Sequence, residues 1–156
     1  RQRLSGGAGK TECAKHLNGG MMADVTITVN DAEVRRMLTG APDRINRAFR
    51  GAMEDATVLL LGEMKTYPPQ RAGSSYHRRN NLKGSWSRRI TGRGVEIQGV
   101  VGSNSNVAPY NRRVQDATMQ ARVHRGRWTN TVQEVSRRSE SQINQMFANR
   151  IRAEVG

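Results

Sequence analysis

Cysteine, aromatic residues and long apolar runs are all scarce in this sequence. Cys13 is the only cysteine, so the chain can form neither an internal disulfide nor a zinc site built from several cysteines. No apolar run approaches the roughly 18 residues that a membrane-spanning helix needs, so we expect no membrane partner. Aromatic residues make up 4% of the chain, too few for a platform on which nucleic-acid bases would stack.

Acidic residues and lysines are also few. The chain has 13 acidic residues against 26 basic ones, which gives a net charge of +13, and only four of the basic residues are lysines. The others are arginines, whose flat guanidinium binds phosphate and carboxylate groups through paired hydrogen bonds. Most of the excess lies between Thr66 and Trp128, where Glu96 and Asp116 are the only acidic residues. This pattern predicts contact with nucleic acid or with acidic protein surfaces; a solvated arginine-rich surface is the alternative.

The residue types that usually carry catalysis are scattered along the chain. His16, His77 and His124 are isolated from one another and from acidic clusters, whereas a zinc site or a nucleophile–base pair needs such groups at ligand spacing. Glu54 and Asp55 are adjacent, and adjacent residues of a helix do not face one site. We therefore expect a protein that is not an enzyme and that has no cofactor, no metal and no small-molecule substrate.

One stretch, LSGGAGKTECAKHL at residues 4–17, has the look of a phosphate-binding loop. That motif needs a glycine, four residues and then Gly-Lys-Ser/Thr, all after a buried strand. Here the first glycine position holds Leu4, and only three residues precede it. We therefore expect no nucleotide binding and interpret residues 1–22 as a flexible N-terminal extension. Two starts stay open: Met21 or Met22 begins the natural protein, or the upstream residues belong to it.

The remaining residues, 23–156, are expected to form a single domain. Val25–Val29 alternates apolar and polar residues and predicts a strand. A short helix is expected from Ala32. Apolar residues at three- and four-residue spacings predict a long helix over Pro42–Lys65, and Pro68 prevents its continuation.

The second half of the chain predicts a hairpin and another long helix. Leu82–Ile90 and Val95–Val101 are the expected strands, around a turn at Thr91–Gly94. Ala108–Gln115 is either a short helix or an edge segment. A second long helix is expected after a capping box at Thr131 and Glu134, with an apolar stripe whose members run from Val132 to Val155. The fold class is therefore α+β, with a small antiparallel sheet packed against the two long helices and with long loops between them.

The order of segments carries a family resemblance. After the long helix come TYPPQRAGSSYHRRNNLKGSW, a hairpin, APYNRRVQD, MQARVHRGRW and the C-terminal helix. From Ala23 to the C-terminus, this order resembles the neck or tail-completion family of long-tailed bacteriophages, the head–tail connector proteins. That family has a helix, a Pro-containing break, an Arg-Thr-Gly-x-Leu-x-x-Ser stretch, strands, and a Tyr-centred segment similar to Pro-Tyr-Ala.

Two motifs of the family can be matched residue by residue. Arg79, Leu82 and Ser85 match the first stretch, in which Asn80-Asn81 replace Thr-Gly. Because asparagine tolerates a positive φ better than most residues, the turn can survive this replacement. Pro109-Tyr110 matches the second segment, and Asn111 departs from it.

The resemblance implies a structural protein of the virion without enzymatic activity. It is expected at the head–tail junction, and in the host cytoplasm during assembly. Its implied partners are copies of itself in a ring, other neck and tail proteins, and genomic DNA passing through the channel. The alternative is a nucleic-acid-binding protein that acts without sequence preference through its arginine-rich surface.

We predict that Gln70–Asn81 and Thr118–Trp128 contact neighbouring subunits or line the channel, because long loops with arginine are often functional. The residues expected to contact other subunits or partners are Arg71, Arg78, Arg79, Trp86, Tyr110, Arg122, Arg125, Arg127 and Trp128. The candidates to face DNA are Arg88, Arg89, Arg112 and Arg113. For Trp86, packing in the core is the alternative.

Overall fold

The elements of the structure alternate between a small sheet and helices. The computed structural model describes residues 11–14, 24–29, 43–75, 79–92, 96–116, 118–122 and 124–155. The strands are β1 (Thr11–Ala14), β2 (Asp24–Val29), β3 (Trp86–Thr91) and β4 (Gln98–Ser103). The helices are α1 (Asp43–Met64), α2 (Asn81–Ser85), α3 (Asn111–Gln115) and α4 (Val132–Val155). This arrangement confirms the α+β fold class.

The four strands form one antiparallel sheet in the order β1-β2-β4-β3. Val25 pairs with Val101, and Ile27 pairs with Gly99, so alternate residues of β2 and β4 face the helices. A Cβ at Gly99 would lie 2.5 Å from the sulfur of Met53. The glycine therefore lets α1 pack directly against the middle of the sheet.

The long helix α1 forms where the spacing of apolar residues predicted it. Ile45, Phe49, Met53, Leu60 and Met64 are all buried along one side, as a stripe of period 3.6 requires. The predicted bounds, 42–65, differ from the observed ones by one residue at each end. Sequence periodicity thus predicts the main core element.

The C-terminal helix α4 packs against α1 in the antiparallel sense. Phe147 of α4 meets Phe49 edge to face, with ring centroids 5.7 Å apart. Arg150 pairs with Asp55 at 2.8 Å, and near the other end of the two helices Arg138 pairs with Glu63. Exposed ion pairs add little stability, so the aromatic contact and the buried stripe hold the two helices together.

The first half of the capping box before α4 is confirmed. The Glu134 backbone N–H donates to Thr131 Oγ1 at 3.3 Å. The Glu134 carboxylate binds Arg137 at 2.5 Å instead of turning back to the cap residue. The Val132 N–H donates to Gln115 Oε1 at 2.8 Å, so a side chain at the end of α3 accepts a hydrogen bond from a free backbone N–H in the first turn of α4.

The predicted strand Leu82–Ile90 is wrong in its first half, which is the helical turn α2. Asn80 takes a φ of 57°, and its carbonyl accepts from the Gly84 N–H at 2.9 Å. Ser85 Oγ donates to the Leu82 carbonyl at 2.7 Å. These local bonds favour a helical turn, so β3 begins only at Trp86.

The hairpin itself is confirmed, with Thr91 opposite Gln98 in the β3–β4 register. The second strand begins at Gln98 rather than Val95, which lies outside the described residues. Gly92, in the predicted turn, has a φ of 78°, and a Cβ there would meet the Glu96 carbonyl. A glycine is therefore required at this position. The Ala108–Gln115 segment is the short helix α3, the first of its two alternatives.

The structure departs from the expected N-terminal extension at Thr11–Ala14. This segment is β1, and it pairs with the whole of Thr26–Val29. The unpaired side of β2 is a template for another strand, which explains why a segment without any long apolar pattern joins the sheet. A phosphate-binding loop would open a helix at Thr11, whereas the observed element is a strand. The predicted helix from Ala32 lies outside the described residues.

A candidate partner-binding groove

Two loops that are distant in the sequence pack together in the structure. The first loop comprises residues 66–80 and follows α1; the second loop comprises residues 116–131 and precedes α4. Tyr67 stacks on Trp128, with ring centroids 4.7 Å apart and an interplanar angle of 29°. Arg127 Nη2 donates to the Pro69 carbonyl at 3.3 Å. The two loops therefore form one continuous surface.

Asn130 joins the second loop to the end of α1. Its Nδ2 donates to the carbonyls of Glu63 at 3.1 Å and of Thr66 at 2.8 Å. The last carbonyls of a helix have no partner within the helix, so Asn130 caps α1 from a remote position. Arg138 of α4 donates to Asn130 Oδ1 at 2.8 Å and orients the amide.

The second loop is ordered around a buried glutamine. Gln120 is 4% exposed, and its Nε2 donates to the carbonyls of Val114 at 3.0 Å and of Trp128 at 3.3 Å. Arg125 Nε donates back to the Gln120 carbonyl at 3.2 Å. Arg125 also donates to the Thr118 carbonyl at 3.3 Å. Arg125 was predicted to contact partners, but in the structure it holds the second loop together.

An open groove of about 1080 Å³ lies between the two loops and α2. The basic side chains that line it are Arg71, Arg79, Lys83 and Arg127, together with His124. Its aromatic side chains are Tyr67, Tyr110 and Trp128. Among the lining residues that the structure describes, none is acidic. The groove therefore combines positive charge with flat apolar surfaces.

Three buried polar atoms lie around the base of the aromatic stack. Tyr67 Oη, Trp86 Nε1 and Trp128 Nε1 are shielded from solvent, and none makes a hydrogen bond of standard geometry within the described part of the chain. Burial raises the pKa of Tyr67 to about 12; the neighbouring Trp86 indole lowers it by a smaller amount. The phenol therefore stays neutral and offers an O–H donor throughout the physiological range.

The structure brings most of the predicted contact residues to this groove. The predicted residues that line it are Arg71, Arg79, Tyr110, Arg127 and Trp128. Arg122 is exposed on the second loop outside the lining, and Arg78 lies outside the described residues. Trp86 is only 2% exposed and belongs to the hydrophobic core. The structure therefore supports core packing for Trp86 rather than the predicted partner contact.

Several residues of the groove were missed by sequence reasoning. Tyr67 and Lys83 line the groove, and Gln120 holds one wall of it. An aromatic residue directly before two prolines is a signal that would have singled out Tyr67, because the chain there is rigid and leaves the helix. Nothing in the polar sequence around Gln120 distinguishes it from its neighbours.

The four candidates to face DNA do not form one stripe. Arg88 lies on the helix side of the sheet, where its Nη1 donates to Thr57 Oγ1 at 3.4 Å. Arg89 is opposite Val100 and points to the other face, because successive residues of a strand alternate. Arg112 and Arg113 are exposed on α3.

Asn80 and Asn111 each have a defined local role in the structure. Asn80 has a left-handed backbone conformation, with φ 57° and ψ 13°, so asparagine tolerates the positive φ at this turn, as predicted. Asn111, which departs from the motif, is buried, and its Nδ2 donates to Ser103 Oγ. Its polar side chain thus connects α3 to β4.

The described part of the chain lacks the features of a metal site and of a membrane span. There, no group of three or more His, Cys, Asp or Glu side chains is placed to hold a metal ion. None of the described helices has both the length and the apolar character that crossing a bilayer requires. No protein-family model, no curated protein and no solved structure matches this chain.

Proposed function

We propose that this chain is a structural protein of the head–tail junction of a long-tailed bacteriophage. In this role it forms a ring with copies of itself, contacts other neck and tail proteins, and lets genomic DNA pass. It performs no catalysis. The observation that supports the proposal most is the groove, because the described parts of two loops on one side of the α+β core pack together into one surface.

The length of the two loops and the stacking contact between them support a role in a protein assembly. Loops longer than about 12–15 residues are uncommon in compact domains unless they are functional or disordered. Both loops reach that length, and the stack of Tyr67 on Trp128 fixes them against each other. Rigid surfaces of this kind suit head-to-tail contacts around a ring, in which a different patch of each subunit meets the next one.

The charge of the chain supports a position beside acidic material. Each subunit carries a formal charge of +13, and like charges brought into a ring repel one another. DNA in the channel or acidic neighbouring proteins would offset that repulsion. The proposal therefore accounts for the arginine content through the surroundings of the ring.

Deleting the gene from the phage that carries it tests the proposal. We expect filled heads and separate tails in negative-stain electron micrographs of the lysate, and joined particles when the wild-type chain is supplied from a plasmid. Joined, infectious particles formed without the chain would refute the proposal. Empty heads would point instead to a role in DNA packaging.

The exposed arginines outside the groove favour one second candidate, binding of nucleic acid without sequence preference. Its signature is an affinity that falls steeply with salt, by a slope of about 0.9 per phosphate contacted on a double-logarithmic plot. Arg112 and Arg122 are the residues to change, because both are exposed outside the groove, whereas Arg125 and Arg127 must be kept because they hold the two loops. If the double Ala variant does not flatten the slope by roughly 1–2, these two arginines do not contact phosphate.

A further inference from the structure

The groove carries cations from both loops and from α2. Arg71 and Arg79 come from the first loop, Lys83 from α2 and Arg127 from the second loop. Guanidinium groups bind carboxylates through two parallel hydrogen bonds. A segment lying along the groove with carboxylates at intervals would therefore meet a positive group from each of these elements.

Between these cations, the groove is mostly apolar. Pro68, Leu82, Val114, Tyr110 and Trp128 contribute its apolar surface. Protein interfaces have this composition, with an apolar centre, a polar rim, and an enrichment in arginine and aromatic residues. This composition favours a protein segment as the occupant.

A single-stranded nucleic acid fits the groove less well than a peptide. Binding of bases needs aromatic rings with a free face. Tyr67 and Trp128 are stacked on each other, so each ring has one face already covered. Tyr110 is 45% exposed, whereas Tyr67 and Trp128 are half-buried, so the described lining offers one well-exposed aromatic ring, and one ring makes no stacking platform.

A second copy of this chain is a poor source of the occupant. Four carboxylates of the long helices are already paired with arginines of the same chain: Glu54, Asp55, Glu63 and Glu134. The chain as a whole has 13 acidic residues against 26 basic ones. The occupant is therefore better supplied by a different protein.

We propose that the groove binds an extended acidic segment of another protein, in which apolar side chains separate the carboxylates. The inference builds on the proposed function, because it names the chemistry of one partner at the junction. The carboxylates pair with the four cations, and the apolar side chains pack on Tyr110 and Leu82.

Selection from a displayed library of random 12-residue peptides, on the full-length chain, tests this inference. The enriched peptides are expected to contain acidic residues separated by apolar ones, and fluorescence anisotropy then gives their affinity. Arg79→Glu combined with Lys83→Glu should weaken that affinity at least about tenfold, a change of 1.4 kcal/mol. The matched control is Arg47→Glu with Arg152→Glu, the same change of charge at exposed positions of α1 and α4; it should leave the affinity within about threefold.

Three results would overturn the inference. They are the enrichment of no acidic peptide, an equal loss of affinity in the control variant, and displacement of the peptide by a 12-nucleotide oligo(dT) that binds more tightly and responds to the same substitutions. The first two leave the groove without this role, and the third makes it a nucleic-acid site. Circular dichroism of both variants confirms that any loss of binding comes from the changed charges and not from unfolding.

The outcomes for the groove and for the junction are separable. If acidic peptides bind the groove while phages lacking the gene still form joined particles, the groove retains its role and the junction proposal fails. If heads and tails stay separate without the chain but no acidic peptide binds, only the inference about the groove fails.

Discussion

Trp128→Ala should separate the two loops while leaving the helical core intact. Trp128 is half-buried and stacks on Tyr67 at 4.7 Å. A buried aromatic side chain covers about 150–250 Å², so a half-buried one covers roughly 100 Å², which is about 2.5 kcal/mol at 25 cal/mol per Å². The loss of the aromatic pair adds about 0.5–1.5 kcal/mol. We expect a total loss of about 3–4 kcal/mol in the free energy of unfolding.

Urea unfolding followed by circular dichroism measures this loss, which should also lower the Tm by about 6–16 °C. Tyr110→Ala is the matched control, because Tyr110 lines the same groove, is 45% exposed and takes no part in the stack. Its cost should stay below about 1 kcal/mol. A double-mutant cycle with Tyr67→Ala should give a coupling of about 0.5–1.5 kcal/mol. A loss under about 1 kcal/mol for Trp128→Ala, or a coupling of zero, would refute the claim that this stack holds the loops together.

Three further changes test the surroundings of the groove and the sheet beneath α1. The folded state raises the pKa of Tyr67 to about 12 from 10.0. The contribution of the neutral Tyr67 phenol to the free energy of unfolding is therefore fully present below about pH 10 and should be lost as the pH rises through 12. Because the Tyr67 side chain is half-buried rather than fully enclosed, we expect the loss to stay below about 2 kcal/mol. Tyr67→Phe should abolish this loss in unfolding curves, and a wild-type stability that does not fall between about pH 10 and 12 would contradict the burial of the phenol. Asn130→Ala removes the cap on the end of α1 and should cost about 1–3 kcal/mol, measured by urea unfolding; a neutral result would show that the cap is not needed. Gly99→Ala places a Cβ against Met53 and should lower the free energy of unfolding by about 1–3 kcal/mol. Gly62→Ala, in open space on α1, should instead raise it by up to about 1 kcal/mol. Thermal unfolding compares the two variants, and equal effects would contradict the close packing at Gly99.

The long helices could be predicted because their signal is local. Burial of one face repeats every three or four residues, so α1 and α4 can be recognised without knowing what they pack against. The β3–β4 hairpin was recognisable from two β-rich segments around a glycine turn. These three features determine the α+β class.

The groove could not be derived in the same way, because it depends on contacts between distant residues. Tyr67 and Trp128 lie in polar segments without periodicity, and only the antiparallel packing of α1 and α4 brings them together. The sequence does place the excess of arginine in this region. It does not show that Arg125 is used inside the second loop while Arg71 lines the groove, since both are arginines in polar surroundings.

The error at Leu82 has a physical reason of the same kind. Alternation of Leu82, Gly84 and Trp86 with polar residues is typical of a strand. Local hydrogen bonds from Ser85 and to Asn80 outweigh that weak preference and give a helical turn. Strand propensity depends on context, so such short segments are decided by their neighbours.

Cryo-electron microscopy of the phage particle to which we propose this chain belongs would locate it directly. We expect a closed ring of this chain at the head–tail junction, with density for another protein in the groove between the two loops. Particles in which the junction is built from other chains, with this one absent or bound as a monomer to DNA, would contradict the account.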